Sequence, residues 1–179
     1  MDNQTTLFDI PQTNPSKNPV SLLRQEPLHI FIDGASRGNP GPAGAGIYIS
    51  QAKKLVLAEG IFLGKKTNNQ AEYLALLLAI LFIKKLFKDK TVASAPLYFF
   101  SDSELLIKQM NGIYKVKNEQ LQALKRIIVE HVRSHTATFK HVYRDQNVEA
   151  DALANQGIDT KKKVPVPFAK ALADYGLHF

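Results

Sequence analysis

Eleven consecutive apolar residues, YLALLLAILFI (Tyr73–Ile83), place the strongest constraint on this chain. The run is too short to span a bilayer, so it reads as a buried helix that the rest of a globular fold must cover. The surrounding segment, TNNQAEYLALLLAILFIKKLFK, carries its own start and stop signals. Thr67, with Gln70 three residues on, has capping-box spacing, in which each side chain satisfies the other's free backbone donor. Alanine and leucine fill the interior, and Lys84, Lys85 and Lys88 crowd the end where the dipole favours cations. The pattern predicts a helix over 68–87.

Strand patterns lie on either side. LHIFID (Leu28–Asp33) reads as a strand that stops on an acid. AGIYIS (Ala45–Ser50) and LVLAEGIFLG (Leu55–Gly64) flank the polar link Gln51–Lys54 and read as a hairpin. PLYFFSD (Pro96–Asp102) is a near-continuous apolar run, as expected of a central strand covered on both faces. SELLIKQMNG is a short helix stopped at Gly112, and NEQLQALKRIIVEHV places Leu121, Leu124, Ile127 and Ile128 on one helical stripe. TFKHVY (Thr138–Tyr143) is a short strand, and NVEADALANQGI is a helix with Asn147 at its cap position. A hairpin-bearing sheet joined by helical crossovers is a mixed α/β fold.

Domain organisation follows from the same pass. Residues 1–27 contain Asn14-Pro15, Asn18-Pro19 and Glu26-Pro27 without periodicity and read as a flexible N-terminal tail. Residues 28–160 are expected to form the domain, and 161–179 read as a C-terminal extension, with Lys161–Phe168 of low order and AKALADYGLHF as a terminal helix. With 45% apolar residues in 179, one domain with a sizeable core is expected. The absence of cysteine excludes a disulfide framework, a thiolate metal site and a cysteine nucleophile. It suits a reducing compartment, and MDNQTTLFDI lacks the pattern of a signal peptide, so a cytoplasmic location is expected. The net charge of +7 favours a polyanionic partner.

Four acids fall in similar places. Asp33 ends the first strand, Asp102 ends the central strand, Glu72 sits in the first turns of the long helix, and Asp151 lies about one turn into the helix after Asn147. If the two strands are parallel neighbours, Asp33 and Asp102 stand side by side at the sheet edge where ligand crevices form. Clustered carboxylates repel one another unless cations neutralise them, and oxygen-only ligands suit a hard divalent ion such as Mg²⁺. Read singly, any of these acids is an ordinary turn or cap residue.

Four blocks, IDGASRGNPGPAGAG, TNNQAEYLAL, FFSDSELLIKQMNG and HVYRDQNVEADALAN, spread from Ile32 to Asn155 and closely resemble type 1 ribonuclease H. The resemblance implies a five-stranded mixed sheet, three strands antiparallel and then two parallel. It implies that Asp33, Glu72, Asp102 and Asp151 hold two Mg²⁺ ions, with Mn²⁺ as a substitute. The activity implied is cutting of the RNA strand in RNA–DNA hybrids, leaving 5′-phosphate and 3′-hydroxyl ends. Gly34, Ser36, Asn39, Asn68, Asn69 and Glu104 match positions that touch the substrate. Gly34, Gly38, Gly41 and Gly44 are expected to let backbone approach the hybrid through unusual φ values. An inactive nucleic-acid-binding module of the same fold is the alternative, and the presence of all four acids argues against it.

Other positions depart from the family pattern or add to it. Many members carry a histidine on a mobile loop before the last acid; His141 is expected to be a strand residue instead, leaving Arg144 as the loop side chain that assists catalysis. MNGIYKVKNEQ leaves no room for the extra basic helix of some relatives, so Lys115 and Lys117 supply at most a reduced version. The tail segment QTTLF, with Gln4, Leu7 and Phe8, resembles the peptide with which bacterial replication proteins dock on the sliding clamp. The fold requires no second copy, so a monomer is expected, without membrane contact.

Overall fold

Five strands form one sheet in the order β3-β2-β1-β4-β5. The computed structural model describes residues 26–91 and 95–178, so Gln4, Leu7 and Phe8 lie outside the described residues. In chain order the elements are β1 (Leu28–Ser36), β2 (Gly41–Gln51), β3 (Lys54–Lys66), α1 (Asn68–Lys88), β4 (Leu97–Ser101), α2 (Glu104–Met110), α3 (Glu119–Val132), β5 (Ala137–His141), α4 (Val148–Thr160) and α5 (Val166–Ala173). β1, β2 and β3 pair antiparallel, whereas β1 pairs with β4, and β4 with β5, in parallel. The expected mixed sheet is therefore present.

Local signals account for most boundaries. The hairpin turns at Ala52 and Lys53, both at positive φ, the geometry that matches the twist of the flanking strands. Thr67 and Gln70 form the capping box, with the Thr67 hydroxyl accepting from the Gln70 N–H and the Gln70 amide oxygen from the Thr67 N–H. Gly112 sits at φ 75°, past the end of α2. The whole run Tyr73–Ile83 is buried, as are Leu121, Leu124, Ile127 and Ile128 on α3. Together with Leu28, Ile30 and Ile32 of β1 and Leu97 and Phe99 of β4 they form the core.

Three expectations are corrected. β1 does not stop at Asp33 but pairs with β2 as far as Ser36, because the antiparallel neighbour continues past the point where the parallel one ends. β4 is covered fully on one face only: Leu97 and Phe99 are buried, but Tyr98 and Phe100 are half-buried beside His29 and Phe31. The C-terminal helix starts earlier than expected, at Val166 inside the segment read as low order, and it sets Phe168 edge-on to Phe82 of α1 at 4.8 Å and buries Leu172 completely.

The glycines of the IDGASRGNPGPAG stretch serve packing within the protein. Among Gly34, Gly38, Gly41 and Gly44, only Gly38 has a positive φ, 97°. A Cβ on Gly34 would lie 2.1 Å from the backbone nitrogen of Glu72, so its bare backbone is what lets the start of α1 close on β1. Gly41 and Gly44 likewise face backbone of Arg37 and Ala154.

Candidate functional site

β1 and β4 run in parallel with Phe31 opposite Phe100, so Asp33 and Asp102 stand at matching positions past the last paired residues. α1 supplies Glu72 from above, because Gly34 admits its first turns to the sheet. One oxygen from each of Asp33, Glu72 and Asp102 lies within 4.8 Å of the others. Asp33 and Glu72 are buried, at 7% and 5% exposure, in a group with no cation among its members.

The electrostatics of this group are strained in one direction. Burial, and then the negative charges of Asp102 and Asp151, push the Asp33 carboxyl from 3.8 up to about 7, with Arg144 opposing. Burial, reinforced by Asp33 and Asp102, pushes Glu72 well above the usual carboxylate range. Glu72 Oε2 is buried without a hydrogen-bond partner. A carboxylate with one orphaned oxygen, grouped with two more carboxylates, is an incomplete arrangement for protein atoms alone and a complete one for a divalent cation. The donor set, all oxygen, fits Mg²⁺ or Mn²⁺.

Asp151 is placed differently. It lines the same cavity of about 300 Å³ from α4, but it stands outside the tight group of three and accepts a bond from Arg144 Nη2 at 3.0 Å. Arg144 belongs to the short 3₁₀ turn before α4, and its side chain is 79% exposed at the cavity mouth. His141 is the last residue of β5, exposed and edge-on to Tyr143, as a strand residue should be.

The residues matched to substrate contacts are partly dispersed. Gly34, Ser36 and Asn68 line the cavity with the carboxylates. Asn39 is exposed, and its Oδ1 accepts from the Asn68 N–H at 3.1 Å, satisfying a free donor at the start of α1. Ser36 Oγ donates to the Lys66 carbonyl at 2.8 Å and ties β1 to the end of β3. Asn69 opens onto an adjoining cavity with Tyr114, Lys115 and Lys117. Glu104 is held by Lys108 at 2.6 Å, and this pairing keeps its carboxyl below the ordinary value.

One residue of the site was concealed by a simpler reading. Asn147 occupies the cap position of α4 but makes no side-chain cap bond. Fully buried, its Nδ2 donates to the Ile32 carbonyl at 3.0 Å and to Asp102 Oδ1 at 3.1 Å. It thereby ties the Asp102 carboxylate to β1 at Ile32, the residue before Asp33.

A family described as "Reverse transcriptase-like" matches residues 31–157. Ribonuclease HI of Halobacterium salinarum is 36% identical over 140 residues, covering 74% of this chain and 64% of that protein. The Mycobacterium tuberculosis bifunctional protein Rv2228c is 38% identical over 135 residues, 73% of this chain and 35% of its own length. The chain thus spans less than two-thirds of these relatives. Among solved structures, LC11-RNase H1 in complex with an RNA/DNA hybrid superimposes with a TM-score of 0.69 at 35% identity, covering 74% of this chain and 97% of that one.

Proposed function

The chain belongs to the type 1 ribonuclease H family, and from that premise we propose that it is an endonuclease for the RNA strand of RNA–DNA hybrids. The observation that carries the proposal is the group Asp33, Glu72 and Asp102, oxygen-only, with one oxygen of each within 4.8 Å of the others and with Asp33 and Glu72 buried. These three, with Asp151 completing the set, would hold two divalent ions, Mg²⁺ by preference. When bound, such ions lower the pKa of water and neutralise charge on a reacting phosphate.

The chain's own residues prepare the site for that chemistry. Asn147 keeps Asp102 in register with Asp33, so the ligands are held in place before substrate arrives. Arg144 holds Asp151 and carries a positive charge at the cavity mouth, where a phosphate of the scissile strand would pass. Asn68 lines the cavity of the carboxylates and Asn69 the neighbouring one; amides donate and accept, and so can sense a 2′-hydroxyl. Lys115 and Lys117, near Asn69, suit phosphates of the opposite strand.

The test uses labelled RNA–DNA hybrid, double-stranded RNA and double-stranded DNA, each with Mg²⁺, Mn²⁺ or chelator. RNA-strand cutting confined to the hybrid and abolished by chelator is expected, with 5′-phosphate and 3′-hydroxyl products. Binding without cutting under all metal conditions would refute it. We further propose that Gln4, Leu7 and Phe8 dock on a replication sliding clamp. A clamp-binding assay checks this: affinity lost in Leu7→Ala/Phe8→Ala is expected, and no affinity in the intact chain ends the idea.

A further inference from the structure

A second groove, enclosing about 980 Å³, runs between the loop after α2 and the outward face of α3. Lys115, Lys125, Arg126 and Arg133 line it, with Glu130 the one acid on its walls. Along α3 and its C-cap, Gln122, Arg126, Val129 and Arg133 recur at helical spacing on the side opposite the buried Leu121, Leu124 and Ile128. Among the described residues Lys115, Arg126 and Arg133 take part in no ion pair. A solvated helix face explains cations, but it does not explain the apolar groups among them: Ile113 is 66% exposed and Tyr114 and Val129 are each 46% exposed. Cations interleaved with an exposed aromatic ring are the composition that grips phosphates while a base stacks.

The groove meets a cavity at the start of α1. It shares Ile113, Tyr114 and Lys115 with the adjoining cavity that contains Asn69. Asn68, the next residue along, lines the carboxylate cavity. From there the α3 stripe leads away for about 16 Å, at 1.5 Å per residue from Gln122 to Arg133. That matches about five stacked nucleotides of one strand at 3.4 Å each. A base inside the hybrid has both faces covered by its stacked neighbours, whereas an unpaired one offers a face to Tyr114, whose ring carries Lys108 over one side at 4.9 Å.

We propose that this groove holds single-stranded DNA continuing past the end of the hybrid, so that a hybrid with a DNA overhang is the preferred substrate. The proposal rests on the hybrid-cutting reading above. It is tested by fluorescence anisotropy with Asp102→Asn protein, comparing a blunt RNA–DNA hybrid with the same hybrid carrying a short DNA overhang at one end or the other. One of the two overhangs is expected to tighten binding about tenfold at low salt, chiefly through the phosphates that Arg126 and Arg133 neutralise. Adding Arg126→Ala/Arg133→Ala should remove most of that gain and lower the salt slope of overhang binding by about 1.4. Equal affinity for blunt and both overhanging hybrids overturns the proposal, as does a gain that survives the double substitution. Cutting assays on the unaltered chain separate the two readings: failure to cut blunt hybrid in Mg²⁺ refutes the function, whereas cutting without any overhang effect refutes the groove alone.

Discussion

Raising the pH of the metal-free protein should destabilise it, and Asp33 sets the amount. Its folded carboxyl titrates at about 7 against 3.8 when free, because burial and the neighbouring acids disfavour the charge. A raised acid pKa means that the folded state binds the proton more tightly than the unfolded chain. The resulting penalty is absent below the free value and grows until the pH passes the folded one. At 1.36 kcal/mol per unit, the full penalty is about 4 kcal/mol, of which roughly 2.5 kcal/mol develops between about pH 5 and 8.5. Glu72 shifts in the same direction and adds to it. His131, whose pKa is lowered by burial and by Lys84, works the other way, so the comparison needs a control. Urea denaturation in chelator at both pH values, on the unaltered chain and on Asp33→Asn, isolates the carboxylate. The unaltered chain should lose about 2.5 kcal/mol more than Asp33→Asn over this range, and saturating Mg²⁺ should restore most of the difference. Equal pH dependence in the two proteins would refute the reasoning, because it would mean that Asp33 ionises without penalty.

Further predictions concern the frame around the acids. Asn147→Ala leaves the Ile32 carbonyl unpaired and frees Asp102; a stability loss of about 1–3 kcal/mol is expected in thermal melts, and a higher Mn²⁺ midpoint in activity titrations distinguishes positioning from mere destabilisation. Arg144→Ala should lower turnover on hybrid more than His141→Ala does, because only Arg144 lines the cavity; equal or reversed losses would show otherwise. In Gly46→Ala the new Cβ would lie 1.9 Å from the Ala150 carbonyl oxygen, so α4 must move away from the sheet and carry Asp151 with it. That should cost about 1–3 kcal/mol in denaturant titrations and lower turnover by about 100-fold.

The sequence made legible whatever is written locally. Thr67 and Gln70 marked the start of α1, Gly112 the end of α2, and the stripe from Leu121 to Ile128 the inner face of α3. The alignment of Asp33 with Asp102 followed from two strand ends, once those strands were parallel neighbours. What stayed hidden depends on partners distant in the chain. Gly34 reads as loop chemistry until α1 is seen lying against it, and Phe168 reads as the end of a low-order segment until Phe82 is seen beneath it. Asn147 has a sufficient local explanation as a helix cap, and that explanation conceals its bonds to Ile32 and Asp102, 115 and 45 residues away. Asp151 reads as a fourth acid of the same site, and it lines the same cavity, but its bond to Arg144 is not legible from spacing alone.

Manganese soaked into crystals of the protein and located by anomalous scattering tests the central idea most directly. The account predicts strong peaks within coordinating distance of the carboxylate oxygens of Asp33, Glu72 and Asp102, weakened or lost in Asp102→Asn. An acidic cavity without manganese at saturating concentration, or peaks confined to other surfaces, would contradict it.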